Sequence, residues 1–122
     1  MLLCDHGSPI PTVTAARNDL ASQLRKRLEL SNHELVACSM ERREGPVYAF
    51  NEPLLAEAIK LAQGEVVVLM LFLLPGRHAG PGGDVATLCA QNAPAGVNWR
   101  LSPLIGDHPG LTEVIRHGYT TC

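Results

Sequence analysis

The sequence predicts an α/β fold in which helices cover both faces of a parallel sheet. Two observations support this prediction. Short apolar, strand-like segments alternate four times with segments whose apolar residues recur every three or four positions, the pattern of an amphipathic helix. In addition, nine apolar residues run without interruption from Val66 to Leu74, as expected of a strand buried on both faces of a parallel sheet. The crossovers between such strands should be right-handed.

In the first half of the chain, Met1–Asp5 and residues 33–39 have the apolar character of strands. Between them, apolar residues at helical spacing predict a first helix with Thr12 as its N-cap. A second helix begins at Asn51, has a proline in its first turn, and is ended by Gly64. The positions expected to face the sheet are Val13, Ala16, Leu20, Leu24 and Leu28 in the first helix, and Leu54, Leu55, Ala58, Leu61 and Ala62 in the second.

In the second half, the strand Val66–Leu74 is followed by a third helix from about Asp84 to Asn92. Residues 97–102 alternate between polar and apolar, as an edge strand does, and Asp107 begins a final short helix. We expect the strand order 2-1-3-4, with the reversal between strands 1 and 3. This order describes a flavodoxin-like, three-layer α/β fold with a four-stranded parallel sheet.

Composition excludes several classes of function. A chain of 122 residues is one domain, residues 1–122, and a net charge of -2 argues against nucleic-acid binding, which requires a basic surface. The longest apolar run is too short to cross a membrane, and the first residues lack the pattern of a signal peptide. The four cysteines are scattered without a CxxC pair. We therefore expect free thiols and a cytoplasmic protein.

Chemically active side chains follow the predicted strands. His6, Glu41, His78 and His108 come after strands 1, 2, 3 and 4 respectively. In open α/β sheets, ligands bind beyond the carboxyl ends of the strands, near the point where the strand order reverses. Since strands 1 and 3 should be neighbours, His6 and His78 should face one another. Two imidazoles with a carboxylate suit a divalent transition metal such as Co²⁺, Fe²⁺ or Ni²⁺.

Three arginines lie beside these candidates in the sequence and could bind an anionic ligand. Arg42 and Arg43 directly follow Glu41, and Arg77 precedes His78. Guanidinium groups pair well with carboxylates because they donate two parallel hydrogen bonds. The basic residues 25–27, in contrast, are most simply the solvated face of the first helix.

Several sequence blocks, taken in order, resemble one known family. LLCDHGS, ACSMER, LFLLPGRHAGPGGD and PLIGDHPGL are similar to the sirohydrochlorin chelatases of the CbiX/SirB type, and EPLLAEAI looks like their second helix. The resemblance implies a chelatase-like fold and the insertion of Co²⁺, Fe²⁺ or Ni²⁺ into sirohydrochlorin without ATP or another cofactor. The metal-site histidines of the family match His6 and His78, and its active-site glutamate matches Glu41. Short single-domain class II chelatases of this type are typically homodimers.

The resemblance implies a role in cobalamin- or siroheme-type biosynthesis. His6 and His78 would bind the metal and accept protons, with Glu41 as an assisting base or third ligand. The faces of the macrocycle would be lined by Leu74, Pro75, Pro81 and Ile105. An alternative is a non-catalytic tetrapyrrole or metal carrier on the same fold, which would bind tightly without inserting metal. The candidate substrate-binding residues are Ser8, Arg42, Arg43 and Arg77.

Overall fold

The computed structural model describes residues 1–122 and has the predicted α/β architecture. All four strands are parallel, in the order β2-β1-β3-β4. None of the helices combines the length and apolarity that a membrane crossing requires. Along the chain the elements are β1 (Leu2–Asp5), α1 (Pro11–Leu28), β2 (Val36–Ser39), a 3₁₀ turn (Pro46–Asn51), α2 (Leu55–Lys60), β3 (Glu65–Met70), α3 (Asp84–Asn92), β4 (Asn98–Leu101), a second 3₁₀ turn (Ile105–Asp107) and α4 (Leu111–Thr120).

The sheet divides the core into two unequal parts because successive side chains of a strand point to opposite faces. On the face covered by α2 and α3, 14 buried residues form one cluster, which includes Cys4 of β1 and Cys38 of β2. On the face covered by α1, only four buried residues form a second cluster, which includes Leu3 and Ala37. Helices therefore flank both faces, but the α1 face is the less completely covered.

β3 shows the same asymmetry. Val66, Val68 and Met70 are buried against α2 and α3, whereas Val67 and Leu69 are only half-buried on the opposite face. The prediction of a strand buried on both faces is thus correct for one face. On the other, α1 leaves an apolar groove of about 670 Å³ open. This α1-side groove is lined by Leu3, Leu24, Leu69, Leu71 and Ile105, among others.

The inward face of α1 differs from the predicted stripe. Its buried residues are Thr14, Arg17 and Ala21, whereas Val13, Leu20 and Leu28 are exposed. The helix is rotated in this way because Thr14 bonds to Asn51 of the first 3₁₀ turn and Arg17 bonds to Ser39 at the end of β2. The N-cap is Ile10 rather than Thr12, and Pro11 occupies the first turn, where its missing N–H costs nothing.

Three other predicted boundaries also move. β3 ends at Met70 instead of Leu74, because its pairing with β4 ends at Val68 and its pairing with β1 ends at Met70. The following carbonyls of Phe72 and Leu73 accept from the amides of Ile105 and Gly106. The second strand begins at Val36 rather than residue 33. The predicted second helix is split into the 3₁₀ turn and a short α2, which leaves Leu61, predicted to face the sheet, 86% exposed.

Candidate active site at the carboxyl ends of the strands

Two histidines meet where the strand order reverses. His6 directly follows β1, and His78 lies in the loop between β3 and α3. Since β1 and β3 are hydrogen-bonded neighbours, the two loops emerge side by side. The ring centroids lie 4.7 Å apart with an interplanar angle of 72°, an edge-to-face arrangement.

The contacts of His6 point one of its nitrogens at a carboxylate. Its Nδ1 lies 3.0 Å from the carbonyl of Gly7, and because a carbonyl can only accept, Nδ1 is the donor. Its Nε2 then faces Oε1 of Glu41 at 3.2 Å. A neutral imidazole protonated on Nδ1 has a lone pair on Nε2, so two basic atoms converge there. Such a pair attracts a proton or a metal cation.

His78 is oriented by a residue that sequence reasoning did not select. Its Nδ1 lies 2.7 Å from Oδ2 of Asp84, the first residue of α3. Nδ1 therefore donates to the carboxylate, and Nε2 carries the lone pair. A carboxylate behind a metal-binding histidine fixes the tautomer and raises the basicity of the ring. The only sequence signal was an acidic residue opening a helix shortly after the histidine.

Backbone contacts hold each histidine in place. The His6 carbonyl accepts from the Glu41 amide at 3.2 Å. Gly7 adopts φ +96, and a Cβ there would lie 1.9 Å from the Glu41 carbonyl oxygen. The His78 carbonyl accepts from the Val85 amide at 3.0 Å. The loops that follow β1 and β2 therefore approach so closely that only glycine fits at position 7.

The donor atoms are arranged in pairs and not as a closed metal cage. Within residues 1–122, no group of three or more His, Cys, Asp and Glu side chains is placed to enclose a metal ion. His6 and Glu41 form one pair, and His78 and Asp84 form the other. Closed four-ligand sites are typical of structural metals, whereas open sites leave positions for other ligands. The two pairs at this edge of the sheet therefore form an open arrangement.

The two arginines that follow Glu41 have partners of their own. Arg42 is paired with Glu52 at 3.3 Å and donates to the Gly45 carbonyl. The guanidinium of Arg43 lies 6.0 Å from the ring centroid of Tyr48.

Ser8, Arg77 and His108 have different surroundings. Arg77 is exposed. The Ser8 hydroxyl accepts from the Ile10 amide at 3.0 Å. His108 uses its Nδ1 to accept from the Gly110 amide at 2.8 Å, so it turns back on its own loop. Of the four histidine and glutamate candidates, His108 alone shows no contact with the other three.

A cavity of about 590 Å³ lies beside the His78 loop. Pro75 and Pro81, both predicted to line a macrocycle, are among its wall residues, together with Trp99 of β4. Its volume is within the range of small-molecule binding sites. Leu74 and Ile105, also predicted to line a ligand, are exposed at 65% and 38%. The cavity therefore offers an apolar surface beside the loop that carries His78.

The chain matches the family model CbiX over residues 1–122, its whole length. Comparisons with curated proteins and with solved structures found no match. The match covers the same strands and loops that carry His6, Glu41 and His78. The chain therefore belongs to the CbiX family, the family of the sirohydrochlorin chelatases.

Proposed function

We propose that this protein inserts a divalent metal, Co²⁺, Fe²⁺ or Ni²⁺, into sirohydrochlorin in cobalamin- or siroheme-type biosynthesis. One observation carries the proposal: His6 and His78 lie ring to ring, and the His6 Nε2 faces Glu41 at 3.2 Å. Membership of the CbiX family supports a class II chelatase-type reaction. Imidazole and carboxylate accept all three metals.

Metal insertion requires the cation to lose water and the macrocycle to lose two pyrrole protons. The Nε2 atoms of His6 and His78 would replace water on the incoming cation, which is a substrate. Glu41 beside His6 would take up one pyrrole proton as a general base or serve as a third ligand, and the imidazoles, once the metal has left them, would accept the protons that Glu41 does not. With so few protein ligands, positions on the cation stay open for the macrocycle nitrogens. The metal can then pass from the imidazoles to the ring.

Substrate binding would use the positive charges of the loop arginines at the rim of the site, together with an apolar surface. Sirohydrochlorin carries several carboxylates, which guanidinium groups bind in a bidentate manner. Arg43 and Arg77 are exposed, whereas Arg42 is engaged with Glu52. We therefore assign carboxylate binding first to Arg43 and Arg77. Ser8 would contribute from the His6 loop, and the cavity lined by Pro75 and Pro81 would contact the ring. No ATP or further cofactor enters this scheme.

We also propose that the protein is a cytoplasmic homodimer. Two apolar surfaces support the dimer: the α1-side groove with the exposed Val13 and Leu20 of α1, and the exposed Val114, Ile115 and Tyr119 of α4. Exposed apolar surface of this kind is typical of association sites. In a two-fold dimer the same patch would be used by both copies. All four cysteines are free, in keeping with a reducing compartment.

The test of the function is an insertion assay. Purified protein is mixed with sirohydrochlorin and each of the three metals, and the absorbance change is followed against a control without protein. We expect one or more metals to be inserted faster than in the control. An absorbance shift from tight binding, with no acceleration of insertion, would instead support the carrier.

A further inference from the structure

We propose that Asp5, Arg17, Ser39 and Asn51 form a buried network that positions His6 and Glu41. The inference deepens the proposed function, since it concerns the geometry of the same site. The network lies on the α1 face, at the carboxyl ends of β1 and β2. Its members bond to the loop that bears His6, and the Glu41 amide donates to the His6 carbonyl, so they are positioning residues and not catalytic ones.

All four network residues are buried, with exposures of 7% for Asp5, 2% for Arg17, and 0% for Ser39 and Asn51. Burying a carboxylate and a guanidinium is costly, and well-packed apolar residues would often stabilise a fold equally well. Every fully buried side-chain nitrogen and oxygen of the network nevertheless has a hydrogen-bond partner. Complete satisfaction of this kind gives a network one preferred geometry.

Ser39 joins the two charged members. Its hydroxyl donates to Oδ1 of Asp5 at 2.5 Å and accepts from Nη1 of Arg17 at 2.6 Å. The same Nη1 donates to the Asn51 carbonyl at 2.8 Å. The rest of the Arg17 guanidinium donates to the side chain of Asn18. The Ser39 hydroxyl therefore bridges the Asp5 carboxylate and the Arg17 guanidinium, and its bond to Asp5 fixes the distance between the ends of β1 and β2.

Asp5 connects the Ser39 hydroxyl to the loop that bears His6. The Oδ1 that accepts from Ser39 also accepts from the amide of Gly7 at 3.1 Å. That amide belongs to the peptide unit between His6 and Gly7, so the carboxylate sets the orientation of the peptide unit that follows His6. Gly7 in turn lies against the Glu41 carbonyl, and the Glu41 amide donates to His6. A shift of Asp5 would move both side chains.

Asn51 holds the far end of the same loop. Its Oδ1 accepts from the Ser8 amide and the Thr14 hydroxyl, both at 3.0 Å. Its Nδ2 donates to the carbonyls of Ser8 at 2.8 Å and Tyr48 at 3.2 Å. The loop from His6 to Ser8 is thus held by Asp5 at one end and Asn51 at the other, and Arg17 connects the two.

Ser39→Ala is the most direct test, because it removes the bridging oxygen and adds no bulk. We expect a folded protein by circular dichroism. The nuclear Overhauser contact between ring protons of His6 and His78 should be lost. The kcat for insertion should fall about 10- to 100-fold, as for a misplaced reacting group, while KM stays within about twofold. Asp5→Asn keeps an accepting oxygen and should retain both properties, whereas Asp5→Ala should lose both.

Ser31→Ala is the matched control, since that hydroxyl accepts from the Glu34 amide in the exposed loop between α1 and β2, outside the network. It should leave the imidazole contact and kcat unchanged. An intact imidazole contact and kcat in Ser39→Ala would overturn the proposal. If that variant does not fold, equal behaviour of Asp5→Asn and Asp5→Ala would overturn it. Loss of the contact in a protein whose wild type inserts no metal would support positioning and refute the proposed function.

Discussion

The Asp84 carboxylate behind His78 determines which ring nitrogen of that histidine is available to a ligand. Asp84 accepts from Nδ1 at 2.7 Å, which leaves Nε2 as the only ring nitrogen free to bind a cation. His6 reaches the same state through the Gly7 carbonyl. Both rings therefore present the lone pair of Nε2, although a carboxylate orients one ring and a carbonyl the other.

Asp84→Ala should weaken Co²⁺ binding about 10- to 100-fold, because His78 loses the partner that orients its ring and fixes its tautomer. The affinity can be measured by titrating the metal-free protein with Co²⁺ and following the visible absorption of the complex. Asp19→Ala is the control, since Asp19 is exposed on α1 and contacts only Gln23 through its side chain. Equal affinities for the two variants would refute the role of Asp84.

Arg43→Ala and Arg77→Ala should raise KM for sirohydrochlorin more than they lower kcat, because carboxylate binding at the rim is equal in the ground and transition states. Steady-state insertion kinetics test this. Arg100, an exposed residue of β4, provides the control substitution to alanine. If KM is unchanged in both rim variants, these arginines are simply solvated loop residues.

At the scale of elements, the sequence predicted the sheet well and the surfaces of its helices less well. Alternating apolar segments were enough for the strand order β2-β1-β3-β4 and for His6, Glu41 and His78 at the strand ends. The predicted apolar stripe on α1 differs from the buried face because Thr14 bonds to Asn51 and Arg17 bonds to Ser39. Both partners are distant in the sequence, so helical spacing cannot reveal them. Leu71–Leu74 was apolar enough for a strand but had no neighbouring strand to pair with.

Packing of α3 against the sheet buries the Cys89 thiol. Its ionisation should change the free energy of unfolding. Burial, and secondarily the neighbouring Cys38, raises the pKa of Cys89 from about 9 to about 11. Between these pH values the unfolded chain loses the proton first, so stability is full below pH 9 and falls as pH rises towards 11. The un-ionised Cys89 thiol thus contributes about 2 to 3 kcal/mol to the free energy of unfolding below pH 9, relative to pH values above 11.

The stability advantage of the wild type over Cys89→Ala should therefore shrink between pH 8 and pH 10.5. Urea unfolding at both values measures it. Cys122→Ala is the control, because Cys122 is exposed and its thiol is solvated in both states. A constant difference between wild type and Cys89→Ala would show that the thiol ionises equally well in the folded protein.

At the scale of the whole molecule, one apolar side of the fold has no cover. α2 and α3 complete one face of the sheet, but α4 extends away, with Val114, Ile115 and Tyr119 exposed at 65% or more. The α1-side groove is open on the same chain. A second copy that placed its α4 along this groove, while receiving the first copy's α4, would bury both surfaces at once.

Wild-type protein should therefore sediment as a dimer at micromolar concentration, and Ile115→Glu should be a monomer because a charge in an apolar interface is costly. Thr120→Glu places the same charge on the opposite side of α4 and should remain dimeric. Circular dichroism should show equal helix content in both variants. A monomeric wild type would contradict the proposed dimer.

The central claim is that His6 and His78 bind one and the same cation through Nε2. Anomalous diffraction at the cobalt edge, from crystals soaked in Co²⁺, tests it most directly. We predict a single peak between the two rings, about 2.0–2.1 Å from each Nε2, that disappears in His78→Ala. A peak bound by only one of these histidines, or located at another site, would contradict the account.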